Sequence, residues 1–182
     1  MRCAWAEQSD AERVYHDTEW GVPIHDDRLL FEVLALRGVQ AGLAWRIVLT
    51  KREAFRRAFH GFDIARVAAM GDGAIATVLA DRALIRNRLK IEAIRANARL
   101  TLRLIEDEGS LAAFLWSFVD GVPKVNVRRE GEPLPVFDDA SDRMSAALRE
   151  RGFRFAGTAI CYATMQSAGM VDDHALACFR RS

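Results

Sequence analysis

The chain has 182 residues, of which 51% are hydrophobic and 28% are charged, so it can bury a sizeable core without any disulfide or metal. Its three cysteines are an odd number, and neither a secretory signal nor a run of roughly 18 to 20 apolar residues is present, which predicts a cytoplasmic protein with no membrane role. The net charge of +1 at pH 7 does not by itself favour a nucleic-acid partner.

The hydrophobic pattern predicts an all-α protein. Apolar residues recur at steps of three and four, and alternating runs of β-branched residues are missing. We expect one domain over residues 1–182, at most divided into two lobes. A proline-bearing stretch near 120–137 predicts a lobe connection or surface loop. Predicted helices cover 27–37, 40–59, 63–70, 72–80, 87–107, 109–119, 138–151 and 158–169.

Basic residues are concentrated between residues 82 and 103. This segment holds only one acidic residue, Glu92, against seven basic ones: Arg82, Arg86, Arg88, Lys90, Arg95, Arg99 and Arg103. The pattern is typical of a solvated helix face, and it is equally compatible with a stripe that faces phosphates.

Two Cys/His pairs lie at opposite ends of the chain. Cys3 and His16 are near the start, and His174 and Cys178 are near the end. If residues 174–178 are helical, the i,i+4 spacing places both side chains on one face. Two cysteines and two histidines can form a closed, structural zinc site. The alternative is two buried thiols and two unrelated histidines, because the long gap between the pairs matches no zinc-finger spacing.

A helical hairpin is predicted at about 143–169. One helix ends at Arg151-Gly152, a tight turn closes at Gly157, and the next helix opens at Thr158. Unpaired N–H groups at the start of a helix attract phosphate, so Gly157, Thr158 and Ala159 are candidate DNA contacts. Hairpins with glycine turns are also common without any such function.

Aromatic residues near the N-terminal half are candidates for base recognition. Trp5, Tyr15 and Trp45 flank polar loops, and such rings can stack on a flipped base. Ordinary core packing is the alternative, and we expect it for Trp20. The loop between residues 40 and 45 supplies three candidate DNA contacts, which are Gln40, Gly42 and an apolar tip, Leu43, that is suited to wedging into a base stack.

Eight segments resemble one known family in order along nearly the whole chain. They read CAW, YHDTEWGVP, LFEVLALRGVQAGLAW, VLTKREAFRRAFHGFD, IRNRLKIEAIRANAR, FLWSFV, RGFRFAGTAICYATMQ and VDDHALACF. The family that they resemble is DNA-3-methyladenine glycosylase I, a group of bacterial base-excision repair enzymes.

The resemblance implies a two-lobed, all-helical helix-hairpin-helix fold in which zinc joins the termini. The protein would act as a monomer on duplex DNA that contains alkylated bases. By position, the resemblance implies that Trp5, Tyr15 and Trp45 line the lesion pocket and that Gly42 and Leu43 form the intercalating loop. The implied zinc ligands are Cys3, His16, His174 and Cys178.

The sequence departs from the family pattern at two pocket positions. Arg37 replaces a glutamate that hydrogen-bonds the alkylated adenine, and Glu12 replaces an aromatic residue. A guanidinium repels a cationic lesion, by roughly 4 kcal/mol for unit charges at 4 Å and an effective dielectric near 20. A Glu12–Arg37 ion pair could instead return a carboxylate to the pocket. Arg37 could also lie at a solvated helix end.

A third departure is Asp172, at a position where the family usually has Asn. Asp172 resembles the catalytic aspartate that other helix-hairpin-helix glycosylases carry after the hairpin, although the interval from Gly157 is shorter here. It could stabilise the sugar cation or position water. The alternative is that Asp172 only caps the helix expected to carry His174 and Cys178.

These observations lead to one main functional hypothesis and two rivals. The main hypothesis is hydrolysis of the N-glycosidic bond of alkylated purines, such as 3-methyladenine, by base flipping in duplex DNA. In the first rival, Arg37 shifts the preference to guanine adducts through their O6/N7 edge. In the second, the protein binds damaged DNA without catalysis.

Overall fold

The computed structural model describes residues 1–181, in which helices dominate. None of these helices is both long and apolar enough to cross a membrane. Short 3₁₀ turns occupy Ala4–Glu7, His60–Phe62 and Ser117–Val119. The α-helices in this part of the chain are α1 Asp10–Thr18, α2 Asp27–Gln40, α3 Trp45–Ala58, α4 Ile64–Ala68, α5 Asp72–Ala80, α6 Arg88–Glu108, α7 Leu111–Trp116, α8 Asp139–Glu150 and α9 Thr158–Ser167.

The all-α prediction is confirmed in the main, with two corrections. Residues 41–44 are a turn rather than the start of α3, because Gly42 adopts a left-handed φ of 76° that a helix does not accept. Helix α1 was not predicted at all, although Ser9 caps it by accepting a hydrogen bond from the Glu12 N–H. The helix has only nine residues, so few apolar positions can repeat along it.

One small sheet interrupts the helical pattern. Strand β1, Lys124–Val125, pairs in parallel with β2, Val171–Asp172. Two residues per strand leave no detectable alternation in the sequence, which is why the pairing was not predicted. The sheet fastens the irregular 120–137 stretch to the segment that leads to the C-terminal Cys/His pair.

Helix α2 lies at the centre of the main core. It contacts α3, α6, α7 and α9, and apolar side chains such as Leu30, Phe31 and Leu34 are buried along it. A helix that is buried on most sides has no solvated face for a polar residue. Any charged side chain in its last turn must therefore find partners inside the protein.

The predicted helical hairpin is formed by α8, a turn and α9. The two helices pack directly against each other, and Ser145 of α8 fixes the turn by donating to the carbonyl of Ala156 at 2.8 Å. Gly152 has a φ of 87° and Phe155 a φ of 52°, so the turn contains two left-handed residues. The hairpin presents the first turn of α9 at the surface.

Much of the basic segment is used within the fold. Lys90 is buried, and its ammonium donates to the carbonyls of Val39 and Ala41. Arg95 and Arg99 donate to the carbonyls of Met70 and Ala68 at the end of α4. These contacts favour a structural role for that face of α6 over a continuous phosphate-binding stripe.

The carboxylate of Asp27 connects helix α2 to helix α7. Its two oxygens accept the N–H groups of Leu111 and Ala112 at 3.1 and 2.8 Å, so it caps α7 from the start of α2. We expect Asp27→Ala to lower the free energy of unfolding by about 1 to 2 kcal/mol in urea titrations. The exposed Asp107→Ala control should stay within about 0.5 kcal/mol of the parent. Equal effects for both variants would contradict this role.

Candidate functional site

The main cavity has a volume of about 500 Å³ and opens beside the turn that follows α2. This size is usual for small-molecule sites. Four segments of the chain form it: the N-terminal region, the end of α2 with its following turn, the 134–136 loop, and α9. Its wall is aromatic and aliphatic with a few polar groups, which suits a planar, partly polar ligand.

Tryptophans form much of the cavity wall. Trp5, Trp20 and Trp45 all line it, and the Trp5 and Trp20 rings meet edge to face with their centroids 5.0 Å apart. Trp20 is buried as expected of a core residue, but it also reaches the wall. Tyr15 is buried outside the wall, with its ring centroid 5.4 Å from that of Trp45. The geometry therefore favours Trp5 and Trp45 over Tyr15 as stacking surfaces.

Arg37 points into the cavity rather than into solvent. Its side chain is only 5% exposed, and its guanidinium carbon lies 3.6 Å from the centroid of the Trp45 ring. It donates to Ser167 Oγ at 2.8 Å, Gln40 Oε1 at 2.8 Å and Tyr15 Oη at 3.2 Å. Burial lowers the pKa of Arg37. The alternative of a solvated helix end is wrong.

Glu12 lines the same cavity and is also buried, at 6% exposure. Its Oε2 accepts the hydroxyl of Ser9 at 2.8 Å. The suggested ion pair with Arg37 is not formed, since no oxygen of Glu12 lies within 4.0 Å of a guanidinium nitrogen of Arg37 in the described part of the chain. The cavity wall thus holds two opposite charges that are not paired with each other.

The turn after α2 forms one edge of the cavity opening. Ala41, Gly42 and Leu43 line the cavity, and Leu43 is partly exposed at the tip. The turn is held from below by the two hydrogen bonds that Lys90 donates, one to Val39 at 2.8 Å and one to Ala41. An apolar tip on an anchored turn is a suitable wedge between stacked bases.

The start of α9 forms another edge of the opening. Gly157 is the N-cap and offers no side-chain hydrogen bond to the helix, while Ala159 and Ile160 line the cavity. The first N–H groups of a helix of this length are suited to an anion. Thr158 Oγ1 donates to Asp142 at 2.8 Å, so a carboxylate also lies close to this helix start.

The two terminal Cys/His pairs converge on one point, here called the Cys/His cluster. Cys3, His16, His174 and Cys178 are all buried, and their ligand atoms lie within 4.8 Å of one another. Cys178 Sγ is 3.4 Å from both His16 Nε2 and His174 Nδ1. A tetrahedral ion with Cys and His ligands requires separations of about 3.3 to 3.8 Å. The cluster could hold a metal ion.

The atoms around the cluster are compatible with a bound metal ion. Asp17 Oδ1 lies 2.8 Å from His16 Nδ1, and the Trp20 carbonyl lies 3.3 Å from His174 Nε2. Each imidazole is thereby oriented with its other nitrogen toward the cluster. Cys3 Sγ accepts from Arg128 and from the Ala175 N–H, as a thiolate would. Without a metal, burial raises the pKa of Cys3 to about 11 and lowers that of His174 to about 4.

The convergence does not come from a helix, and that expectation is wrong. Residues 174–178 form turns, in which the Cys178 N–H donates to the carbonyl of Ala175 at 2.8 Å. An i,i+4 pair can meet across a tight turn as well as along a helix. Arg128 and Arg181 hold this segment by donating to the carbonyls of Asp173 and His174.

Asp172 lies on β2 and is buried at 5% exposure. Its Oδ1 accepts the N–H of His174 at 2.9 Å. The carboxylate therefore helps to fix the turn that leads to His174. Since no helix follows Asp172, the alternative that this residue caps a helix is wrong. It is not among the residues that line the main cavity. The catalytic role of Asp172 stays a prediction.

Sequence reasoning missed the α9 side of the site. Tyr162 and Gln166 line the cavity, and both donate to Asp173 Oδ2 at 2.8 Å. Burial and the neighbouring Asp173 carboxylate raise the pKa of Tyr162. A glutamine among the mostly small or apolar residues of α9 was a weak signal in the sequence. Leu134 and Pro135 join the wall from a loop that carries no motif.

Comparison with known proteins agrees with this geometry. The family model described as methyladenine glycosylase matches residues 5–181. The chain is 45% identical over 177 residues to DNA-3-methyladenine glycosylase 1 of Escherichia coli K12, covering 97% of this chain and 95% of that protein. It is 43% identical to DNA-3-methyladenine glycosylase of Haemophilus influenzae, covering 95% and 94%.

Solved structures give the same result. A crystal structure of 3-methyladenine DNA glycosylase I superposes with a TM-score of 0.96 at 46% identity, covering all of both chains. The 3-methyladenine DNA glycosylase I of Staphylococcus aureus, solved to explain 3-methyladenine recognition, gives 0.95 at 32% identity, covering 100% of this chain and 96% of that one. On sequence and fold together, the chain belongs to the methyladenine glycosylase family.

Proposed function

We propose that this protein is a DNA repair glycosylase that hydrolyses the N-glycosidic bond of an alkylated purine flipped out of duplex DNA. Family membership supports glycosidase chemistry. The observation that supports base flipping and the DNA substrate is the position of the main cavity. Its lining includes an apolar turn tip, Leu43, and a helix start, Ala159, which are the two kinds of element that a base-flipping enzyme uses to fill the stack and hold the backbone.

The wall chemistry fits a base rather than a sugar or a peptide. Trp5 and Trp45 offer aromatic surfaces, and Arg37, Gln40 and Glu12 offer hydrogen bonds at the base edge. Alkylated purines that carry a positive charge leave readily. The protein then needs mainly to desolvate and orient the nucleotide and to stabilise the sugar cation as the bond breaks.

Release of the base tests this function. Purified protein is incubated with methylated duplex DNA, and every freed base is identified by mass spectrometry beside a sample without protein. We expect enzyme-dependent release of at least one alkylated purine. Tight binding to the damaged duplex with no release above the control would instead identify a lesion-binding protein without catalysis.

The turn tip gives a more specific prediction. If Leu43 fills the gap that a flipped base leaves, Leu43→Ala should slow base release from duplex DNA on the order of tenfold, which corresponds to a loss of about 1.4 kcal/mol of wedge contact. Release from single-stranded DNA should change much less, since no gap has to be filled there. Leu89→Ala, at an exposed leucine on α6, is the control. Equal losses on both substrates would contradict the wedge.

We also propose that the Cys/His cluster holds one structural zinc ion. Two thiolates and two imidazoles form a closed tetrahedral set that leaves no position for substrate. When bound, the ion would tie residues near the two ends of the chain together. The residues that hold it, Cys3, His16, His174 and Cys178, then stabilise the fold and take no part in bond cleavage.

Metal analysis tests the zinc proposal. We expect about one zinc per chain by elemental mass spectrometry, and its loss in Cys178→Ser together with a lower thermal midpoint. Cys161→Ser is the matched control, because Cys161 is buried but lies outside the cluster. Zinc retained at full occupancy in Cys178→Ser, or absent from the parent protein, would refute the site.

A further inference from the structure

The buried guanidinium of Arg37 has only neutral hydrogen-bond partners. Ser167, Gln40 and Tyr15 accept three of its N–H groups, and no carboxylate lies within 4.0 Å of it in the described residues. A guanidinium carries five N–H donors, so two remain for a ligand. No ion pair neutralises this buried cation, so a second cation placed directly against the guanidinium is disfavoured.

The same wall holds a buried carboxylate. Glu12 lines the cavity, and only its Oε2 is engaged, by Ser9. The other oxygen is an acceptor for a ligand N–H group. The lining therefore offers two N–H donors from Arg37 and an acceptor from Glu12, and the indole of Trp5 supplies an aromatic surface. The Arg37 guanidinium covers one face of the Trp45 ring.

We propose that this pocket selects neutral 6-oxopurines with an unmodified N7, such as hypoxanthine or an N2-alkylguanine, over cationic methylated adenine. The inference rests on the proposed glycosylase function and names its substrate class. A guanidinium donates two N–H groups to the O6/N7 edge of such a base. Glu12 can accept the N1–H on the opposite side. Methylated adenine in DNA lacks the O6 acceptor and carries a positive charge.

The charge of Arg37 also fits the chemistry that a neutral base requires. When the bond between C1′ and N9 breaks, the electron pair stays on the purine, which becomes negatively charged, and the sugar becomes a cation. Water adds its oxygen to C1′, and the proton that it loses neutralises the departing base. A guanidinium at the O6/N7 edge stabilises the negative charge as it develops. A base that is already cationic needs no such help.

The test compares lesions in matched duplexes. One contains a single hypoxanthine, a second a single N2-ethylguanine and a third is methylated to contain 3-methyladenine and 7-methylguanine; release is measured per lesion. We expect faster release of hypoxanthine and N2-ethylguanine than of either methylated base. Arg37→Gln should reduce hypoxanthine release at least tenfold, since a bidentate contact and a charge are lost. Arg57→Gln removes an exposed arginine and should have no effect.

A second measurement does not depend on catalysis. Calorimetric titration with free hypoxanthine should show saturable binding to the parent protein and at least tenfold weaker binding to Arg37→Gln, with unfolding curves recorded for both. Release of 3-methyladenine with the oxopurines left intact would overturn the specificity while supporting the glycosylase. Release of no base from any duplex would overturn the glycosylase, and absence of hypoxanthine binding would then overturn the pocket assignment too.

Discussion

The burial of α2 is the constraint on which the site depends. This helix is enclosed by α3, α6, α7 and α9, so its last turn ends inside the protein. Arg37 therefore cannot reach solvent, and its guanidinium is held by Gln40, Tyr15 and Ser167 and lies on Trp45. The turn that follows has to leave the core abruptly, which explains the left-handed Gly42. The buried end of α2 therefore determines both the position of Arg37 in the cavity wall and the turn that carries the apolar tip.

The Cys/His cluster positions the N-terminal residues of the cavity lining. Cys3 lies two residues before Trp5, and His16 lies four residues after Glu12. Fixing these two ligands against His174 and Cys178 places the intervening 3₁₀ turn against α1, and α1 beside α3. The short β1–β2 pairing and the bonds from Arg128 bring the C-terminal pair to the same point. A metal at the cluster would affect the pocket only by holding the N-terminal residues of the cavity lining in place.

Two buried charges in one wall give the pocket its chemical character. Arg37 and Glu12 each lie more than nine-tenths buried, and neither neutralises the other. Leaving such groups unpaired costs stability, so the arrangement favours a ligand that contacts both. A single substitution would leave a wall with only one charge, which selects for a different ligand.

Periodicity, helix caps and ordered motifs are local properties of the chain, and they were enough to predict the helical class, most helix positions, the four cluster residues and the family. The sequence by itself could not determine the direction of Arg37, since that depends on which faces of α2 other helices cover. It also could not show the unpaired Glu12, the turn at 174–178 or the roles of Gln166 and Lys90. Each of these depends on contacts between distant segments, and only tertiary packing decides which polar groups meet when water is excluded.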